Sequence, residues 1–205
     1  MKKILTLALC ALLLLSLAAC GGPAVQDPDP SPSVEPTGET EGSNLHHVEI
    51  DIADYGVIKL ELDSAAAPIT VSNFLKLAGE GYYDGLTFHR IMEGFMMQGG
   101  APKSVEDMAD YIPGEFALNG WNNPISHTRG VISMARTTDP DSASSQFFIV
   151  HEDSTFLDGQ YAAFGYVTEG IEVVDAVCEA SQPIDDNGTI PAEAQPVITS
   201  ITVID

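Results

Sequence analysis

Basic residues are scarce. The 205-residue chain carries 8 Lys and Arg against 30 Asp and Glu, a formal charge of −22 at neutral pH. A surface this acidic repels phosphate backbones and anionic headgroups, which argues against nucleic acid as a partner and against a peripheral electrostatic grip on lipid. Cysteine is scarcer still, with three in the chain. Cys10 lies in an N-terminal apolar run and Cys20 closely follows it, so only Cys178 stands in the remainder. No intramolecular disulfide and no cysteine-built zinc site follows from that supply. The Gly-x-Ser-x-Gly turn, the P-loop and the His-Glu-x-x-His helix are all missing, which removes the commonest hydrolase, nucleotide and metalloprotease readings. The apolar run Ile4–Ala19 has 16 residues, short of the roughly 20 that a spanning helix needs.

That run has another use. Lys2 and Lys3 precede it, and Ala18, Ala19, Cys20 and Gly21 close it. Charge, apolar core and small residues in that order make a secretory signal. Leu17-Ala18-Ala19-Cys20 resembles the lipobox of bacterial lipoproteins. The resemblance implies a signal peptide over 1–19, cut before Cys20, whose thiol then carries a diacylglycerol. Two acyl chains anchor stably where one binds only reversibly. The expected location is extracytoplasmic, lipid-anchored to a bacterial membrane. Residues 20–45 then hold the lipidated cysteine and an acidic, Pro-rich tether without aromatic residues. Such a segment buries too little apolar area to offset chain entropy, and fully stretched it reaches on the order of 80 Å.

Residues 46–205, 160 in number, suit one domain with one core. Val48, Ile50 and Ile52 alternate with Glu49 and Asp51, Asp54-Tyr55-Gly56 makes a turn, and VIKLEL resumes at Val57. This predicts a hairpin. Pro68 suits a helix start, and Val71, Phe74, Leu75 and Ala78 recur at helical spacing before Gly79 and Gly81. Short β-like runs follow at 86–91, 95–98, 130–135, 146–150, 162–167 and 197–204, with a second helix over 171–179 that places Cys178 on its buried side. Short strands with only two helices predict an antiparallel barrel or sandwich, and periodicity alone does not choose between them. His46-His47 reads as a solvated junction, and strand geometry separates Ser145 from His151.

One stretch resists a purely structural account. FHRIMEGFMMQGG, residues 88–100, sets an arginine and a glutamine among apolar side chains. With GVISMARTTDPDSASSQFFIV at 130–150, FLDGQYAAFG at 156–165, TVSNF at 70–74 and GYYDGLTFHR at 81–90, it resembles the cyclophilin family of peptidyl-prolyl cis/trans isomerases. The resemblance covers nearly all of 46–205 and implies a mainly β fold: a closed eight-stranded antiparallel barrel capped by two α-helices, with the active site on its outer face. It makes Arg90 the catalytic arginine and Gln98 its active-site glutamine. Phe95, Met96, Phe148 and Leu157 match the apolar proline pocket, and Ala135, Arg136 and Gln146 lie where substrate runs alongside. Phe156 stands where many eukaryotic members have tryptophan, and Tyr161 where they have histidine. The implied partners are proline-containing polypeptides, met by a monomer with no cofactor and no metal.

The chemistry of prolyl rotation fits those residue types. An X–Pro bond prefers trans by only about 0.5–1 kcal/mol yet isomerises over tens to hundreds of seconds, because amide resonance sets a barrier of roughly 18–20 kcal/mol. Twisting breaks the resonance and leaves a lone pair on the prolyl nitrogen. A guanidinium donating to that nitrogen favours the twisted form alone, and an apolar floor disfavours the charge-separated planar amide. The alternative is a proline-peptide binding or holdase module without turnover, which needs only the apolar pocket. The sequence departs from the family in two places. Ala135 to Gln146 is one residue longer than the common spacing, and 101–113 lacks a glycine-rich run.

Overall fold

The computed structural model describes residues 44–205. The expected signal peptide, Cys20 and the expected tether through residue 43 lie outside the described residues. The order is β1 (Leu45–Ile52), β2 (Gly56–Asp63), α1 (Pro68–Gly79), β3 (Phe88–Met92), β4 (Met96–Gly99), β5 (Val131–Met134), β6 (Phe147–Val150), β7 (Ala163–Glu169), α2 (Ile171–Ala180) and β8 (Ile198–Val203). Leu45, expected at the end of the tether, is the first residue of β1 and pairs with Asp63. His47 also lies within β1, beside Glu61 and Asp205; it is solvent-exposed as expected, but in a strand rather than a loop. Among the described residues no helix is long and apolar enough to cross a membrane.

The β1–β2 hairpin follows from its alternation. Val48, Ile50 and Ile52 face the core with Ile58, Leu60 and Leu62, and Asp54 takes a positive φ of 68° in the turn, a conformation aspartate tolerates better than most residues. β5 and β6 behave differently: every residue of VISM and FFIV is buried. Both faces of these strands are covered, so their sequences read as continuous apolar runs rather than alternations. The inner face packs on Phe74, Tyr83, Phe88, Phe147 and Phe164, with Phe74 ring centroids 5.2 to 5.5 Å from Tyr83, Phe147 and Phe164. The outer face carries a second apolar cluster that includes Met96, Val131, Phe148, Val150, Leu157 and Ala163.

The eight strands form one antiparallel sheet in the order β3-β4-β6-β5-β7-β2-β1-β8. The sheet curls, but it is not the closed barrel that the family resemblance implied. Its end strands β3 and β8 share no ladder: they meet only at one bridge, Thr87↔Val197, where Phe88 N–H donates to Pro196 O at 2.9 Å and Ile198 N–H to Leu86 O and Gly85 N–H to Ile198 O at 2.8 Å. Two things stop the ladder. Pro196 has no N–H to continue the pairing. The free edge of β3 is already occupied, because Ile91 N–H donates to Gly188 O at 2.8 Å and Ile190 N–H to His89 O at 3.0 Å. Helix α1 packs on β8 and β2, and α2 on β2 and β4. Cys178 is buried in α2, and burial, ahead of Asp175 and other nearby charges, pushes its thiol up to about 12, so it behaves as a small hydrophobe.

Candidate active site

The outer face of the sheet assembles the site along one rung. In β3 the register pairs Arg90 with Gln98 of β4, Gln98 with Phe148 of β6, and Phe148 with Ser133 of β5. Cross-strand partners share a face, so residues from four strands stand side by side. A bulge between Phe88 and Arg90 helps. It lets Phe88 and Ile91 both enter the core, at 0 % exposure, while Arg90 stays outside.

Above the rung lies a groove of about 340 Å³ lined by Arg90, Phe95, Met96, Gln98, Ala135, Arg136, Phe148, Phe156, Leu157 and Tyr161. These are the expected site residues apart from Gln146. Gln146 sits in an adjoining hollow of about 160 Å³, with Gln98, Ala135 and Arg136 at its boundary, and its side-chain oxygen accepts from Gln98 Nε2 at 3.0 Å. Met96, Phe148 and Leu157 are buried beneath the groove as its floor, whereas Phe156 is 65 % exposed and forms the rim. Phe156 leans on Phe95 at 5.6 Å, and Tyr161 meets Phe148 edge-on at 5.9 Å.

Arg90 is held on every side. Its Nε donates to Asn187 O at 2.7 Å, Nη1 to Gln98 Oε1 at 3.3 Å, and Nη2 to the Met92 sulfur at 3.3 Å. Burial lowers its pKa, against Tyr161 and Asp185, which raise it. A guanidinium nonetheless stays protonated in proteins. Asn187 belongs to the segment whose backbone covers the β3 edge, and no motif in the sequence marks it. Gly188 beside it has φ +85°, and a Cβ there would lie 2.5 Å from Met92 Cγ and 2.8 Å from Ile91 O. Only glycine fits so close to the strand.

A second support is visible only in three dimensions. His127 lies under Phe148, its ring parallel at 6.0 Å. Its Nδ1 meets Asp158 Oδ1 at 2.9 Å and its Nε2 meets Ser133 Oγ at 3.0 Å. A neutral imidazole satisfies both contacts: Nδ1–H donates to the carboxylate and Nε2 accepts the hydroxyl proton. The types are those of a hydrolase triad, but His127 and Ser133 are both at 0 % exposure, so no substrate reaches the hydroxyl. The arrangement braces the pocket floor. Ser145 and His151 do not pair: Ser145 Oγ donates to Gly100 O, and His151 Nδ1 accepts from Gly94 N–H.

These histidines set a pH expectation. Burial, then the Arg90 charge, lowers the pKa of His89, and burial lowers that of His127 against the opposing Asp158 contacts. Each is neutral in the fold and free to take a proton, at about pH 6.5, once unfolded. Below that pH the unfolded chain binds more protons, so stability present at higher pH is lost as pH falls. The melting temperature is expected to drop from pH 7 to pH 5. Catalytic efficiency of the folded protein should stay flat over the same range, since no histidine or carboxylate lines the groove. A bell-shaped profile, or a melting temperature that does not fall, would contradict this.

Known proteins resemble the chain in sequence and fold. The family described as cyclophilin type peptidyl-prolyl cis-trans isomerase matches residues 47–203. The chain is 45% identical over 129 residues to peptidyl-prolyl cis-trans isomerase A of Dickeya dadantii, covering 60% of this chain and 67% of that protein. It is 46% identical over 121 residues to peptidyl-prolyl cis-trans isomerase B of Bacillus subtilis, covering 59% and 82% respectively. The crystal structure of a Cryptosporidium parvum cyclophilin type isomerase superposes with a TM-score of 0.67 at 28% identity, covering 78% of this chain and 98% of that one. A second structure of that protein, obtained in the presence of the dipeptide Ala-Pro, gives 0.66 at the same identity. With an apolar groove, a braced guanidinium on its lip and these relatives, the chain belongs to the cyclophilin-type peptidyl-prolyl cis-trans isomerases.

Proposed function

We propose that this peptidyl-prolyl cis-trans isomerase acts as a monomer on proline-containing polypeptides outside the cytoplasm, tethered to a bacterial membrane through Cys20, and that Arg90 is its catalytic residue. The observation that carries the site assignment is the guanidinium of Arg90 fixed over an apolar floor. A proline ring seats on Met96, Phe148 and Leu157, where the low polarity disfavours the planar, charge-separated amide. As the bond twists, the prolyl nitrogen gains a lone pair that Arg90 can meet with an N–H, and the developing charge is stabilised by a donor already in place. Gln98 holds Nη1 and is itself held by Gln146, which limits how far the guanidinium can swing. The substrate backbone passes the stretch after β5. Ala135 N–H is engaged there by Gln146 O at 2.9 Å, which leaves the Ala135 carbonyl and the Arg136 backbone to run beside the substrate. Bond rotation needs no nucleophile and no proton transfer from any of these groups.

The test is NMR exchange between cis and trans forms of an Ala-Pro peptide with residues 44–205 alone. The isolated domain should speed exchange as well as the full chain, because every proposed site residue lies within it. Binding without faster exchange would mean a holdase instead. The anchor is tested separately. Cys20→Ser removes the thiol at the lipobox and should leave the protein without incorporated palmitate and with its signal uncut. Palmitate incorporation at the wild-type level would refute the lipoprotein reading.

A further inference from the structure

The groove contains a second arginine that prolyl rotation does not use. Arg136 lines both the main groove and the adjoining hollow. Its guanidinium is clamped between two rings, Tyr161 at 4.7 Å and Phe116 at 5.0 Å. Nε donates to Gln160 O at 2.9 Å and Nη1 to Thr137 O at 2.8 Å. Nη2 makes no hydrogen bond among the described residues.

On a chain of charge −22, Lys59 is paired with Glu169 at 2.9 Å and Arg129 with Asp175 at 2.8 Å. Arg136, like Lys76, Lys103 and Arg90, has no ion pair among the described residues; its distinction is a guanidinium held by two rings and two carbonyls with Nη2 left over. The acids of its own loop are turned to other work: Asp139 Oδ1 accepts Asp141 N–H, and Asp141 Oδ1 accepts from Gly114 N–H and Asn119 Nδ2. Arg90 differs, with Nε, Nη1 and Nη2 all engaged. A guanidinium already fixed by stacking and two carbonyls loses little further freedom on meeting a carboxylate, and its free edge presents N–H donors for a charge-assisted bond.

We propose that Arg136 makes the groove selective for prolyl peptides that carry a carboxylate side chain within two residues of the proline. The inference rests on the isomerase reading and specifies its substrate. Because the net charge of the protein repels any acidic peptide, the preference is positional, not a general attraction to acids.

The test compares peptides of identical composition and charge by NMR exchange. In one pair Glu stands one or two residues from the proline; in the control it stands at least five residues away. Wild type should turn over the near-Glu peptides with kcat/KM about 5-fold higher, mostly through KM, the scale of a fixed pair at a solvent edge. Arg136→Gln should bring that ratio to about one, whatever its effect on either peptide alone. Arg136→Glu should favour near-Lys over distant-Lys peptides. A purely structural role for Arg136 would lower both members of a pair together and leave their ratio unchanged in the variant. A wild-type ratio of one, which needs no variant to fold, overturns the proposal, as does a ratio that survives Arg136→Gln. If wild type accelerates none of the peptides, the isomerase reading fails and the selectivity with it.

Discussion

Arg90→Ala is expected to lower kcat on an X–Pro peptide by on the order of 100-fold or more, with little change in peptide affinity. The split follows from where each interaction acts. The floor of Met96, Phe148 and Leu157 is untouched, so the apolar grip on the proline ring that sets peptide affinity remains. The guanidinium meets a lone pair that exists only when amide resonance is broken, so its removal raises the barrier without weakening binding. A 100-fold loss corresponds to about 2.7 kcal/mol of transition-state stabilisation. Arg90→Lys should recover no more than about tenfold of this. An ammonium cannot span Asn187 O, Gln98 and the Met92 sulfur, which now fix the guanidinium from three directions. Single-turnover exchange rates and peptide titrations on the folded variants separate the two effects. Near-wild-type exchange by Arg90→Ala would end the assignment.

Glu115→Ala should be among the most destabilising single substitutions outside the aromatic core. Helix α1 starts at Pro68 after Ala67, which has no side chain able to cap it. The cap comes from far along the chain: Glu115 Oε1 accepts Ile69 N–H, 46 residues away, at 3.0 Å and Oε2 accepts Thr70 N–H, 45 residues away, at 2.8 Å. Glu115 is 1 % exposed and Thr70 0 %. The carboxylate satisfies two N–H groups at the positive end of the helix dipole, one fully buried. Removing it strands the Thr70 donor away from water and leaves a small void, at a cost of about 2–4 kcal/mol. For a domain of this size the melting temperature should fall by roughly 5–15 °C. Glu115→Gln keeps one acceptor but points an amide N–H₂ at the other donor, so it should fall between wild type and alanine. A thermal or urea melt of Glu115→Ala within about 0.5 kcal/mol of wild type would refute the cap.

The parts of the fold written locally were legible in the chain. The β1–β2 hairpin came from strict alternation at Val48, Ile50 and Ile52, and α1 from Val71, Phe74 and Ala78 behind Pro68. Those patterns persist because a single element must present one apolar face. The all-buried β5 and β6 were recognisable as strands, but a run without alternation does not say which face looks inward. Motif resemblance supplied the groove residues, and the groove unites them. It did not supply what holds them: Asn187 O behind Arg90, or His127 and Asp158 beneath Phe148. It also implied a closed barrel, where the segment at 188–190 takes the β3 edge and Pro196 interrupts the β8 side. Each of these depends on which distant segments become neighbours. The placement of β4 beside β6 turns Arg90, Gln98, Phe148 and Ser133 into one rung, and Glu115 reaches a helix it does not adjoin in sequence. Periodicity records the face a residue must show and carries no label for its partner. The partner is chosen when loop-closure entropy is set against the whole set of burial and hydrogen-bonding gains in the folded chain.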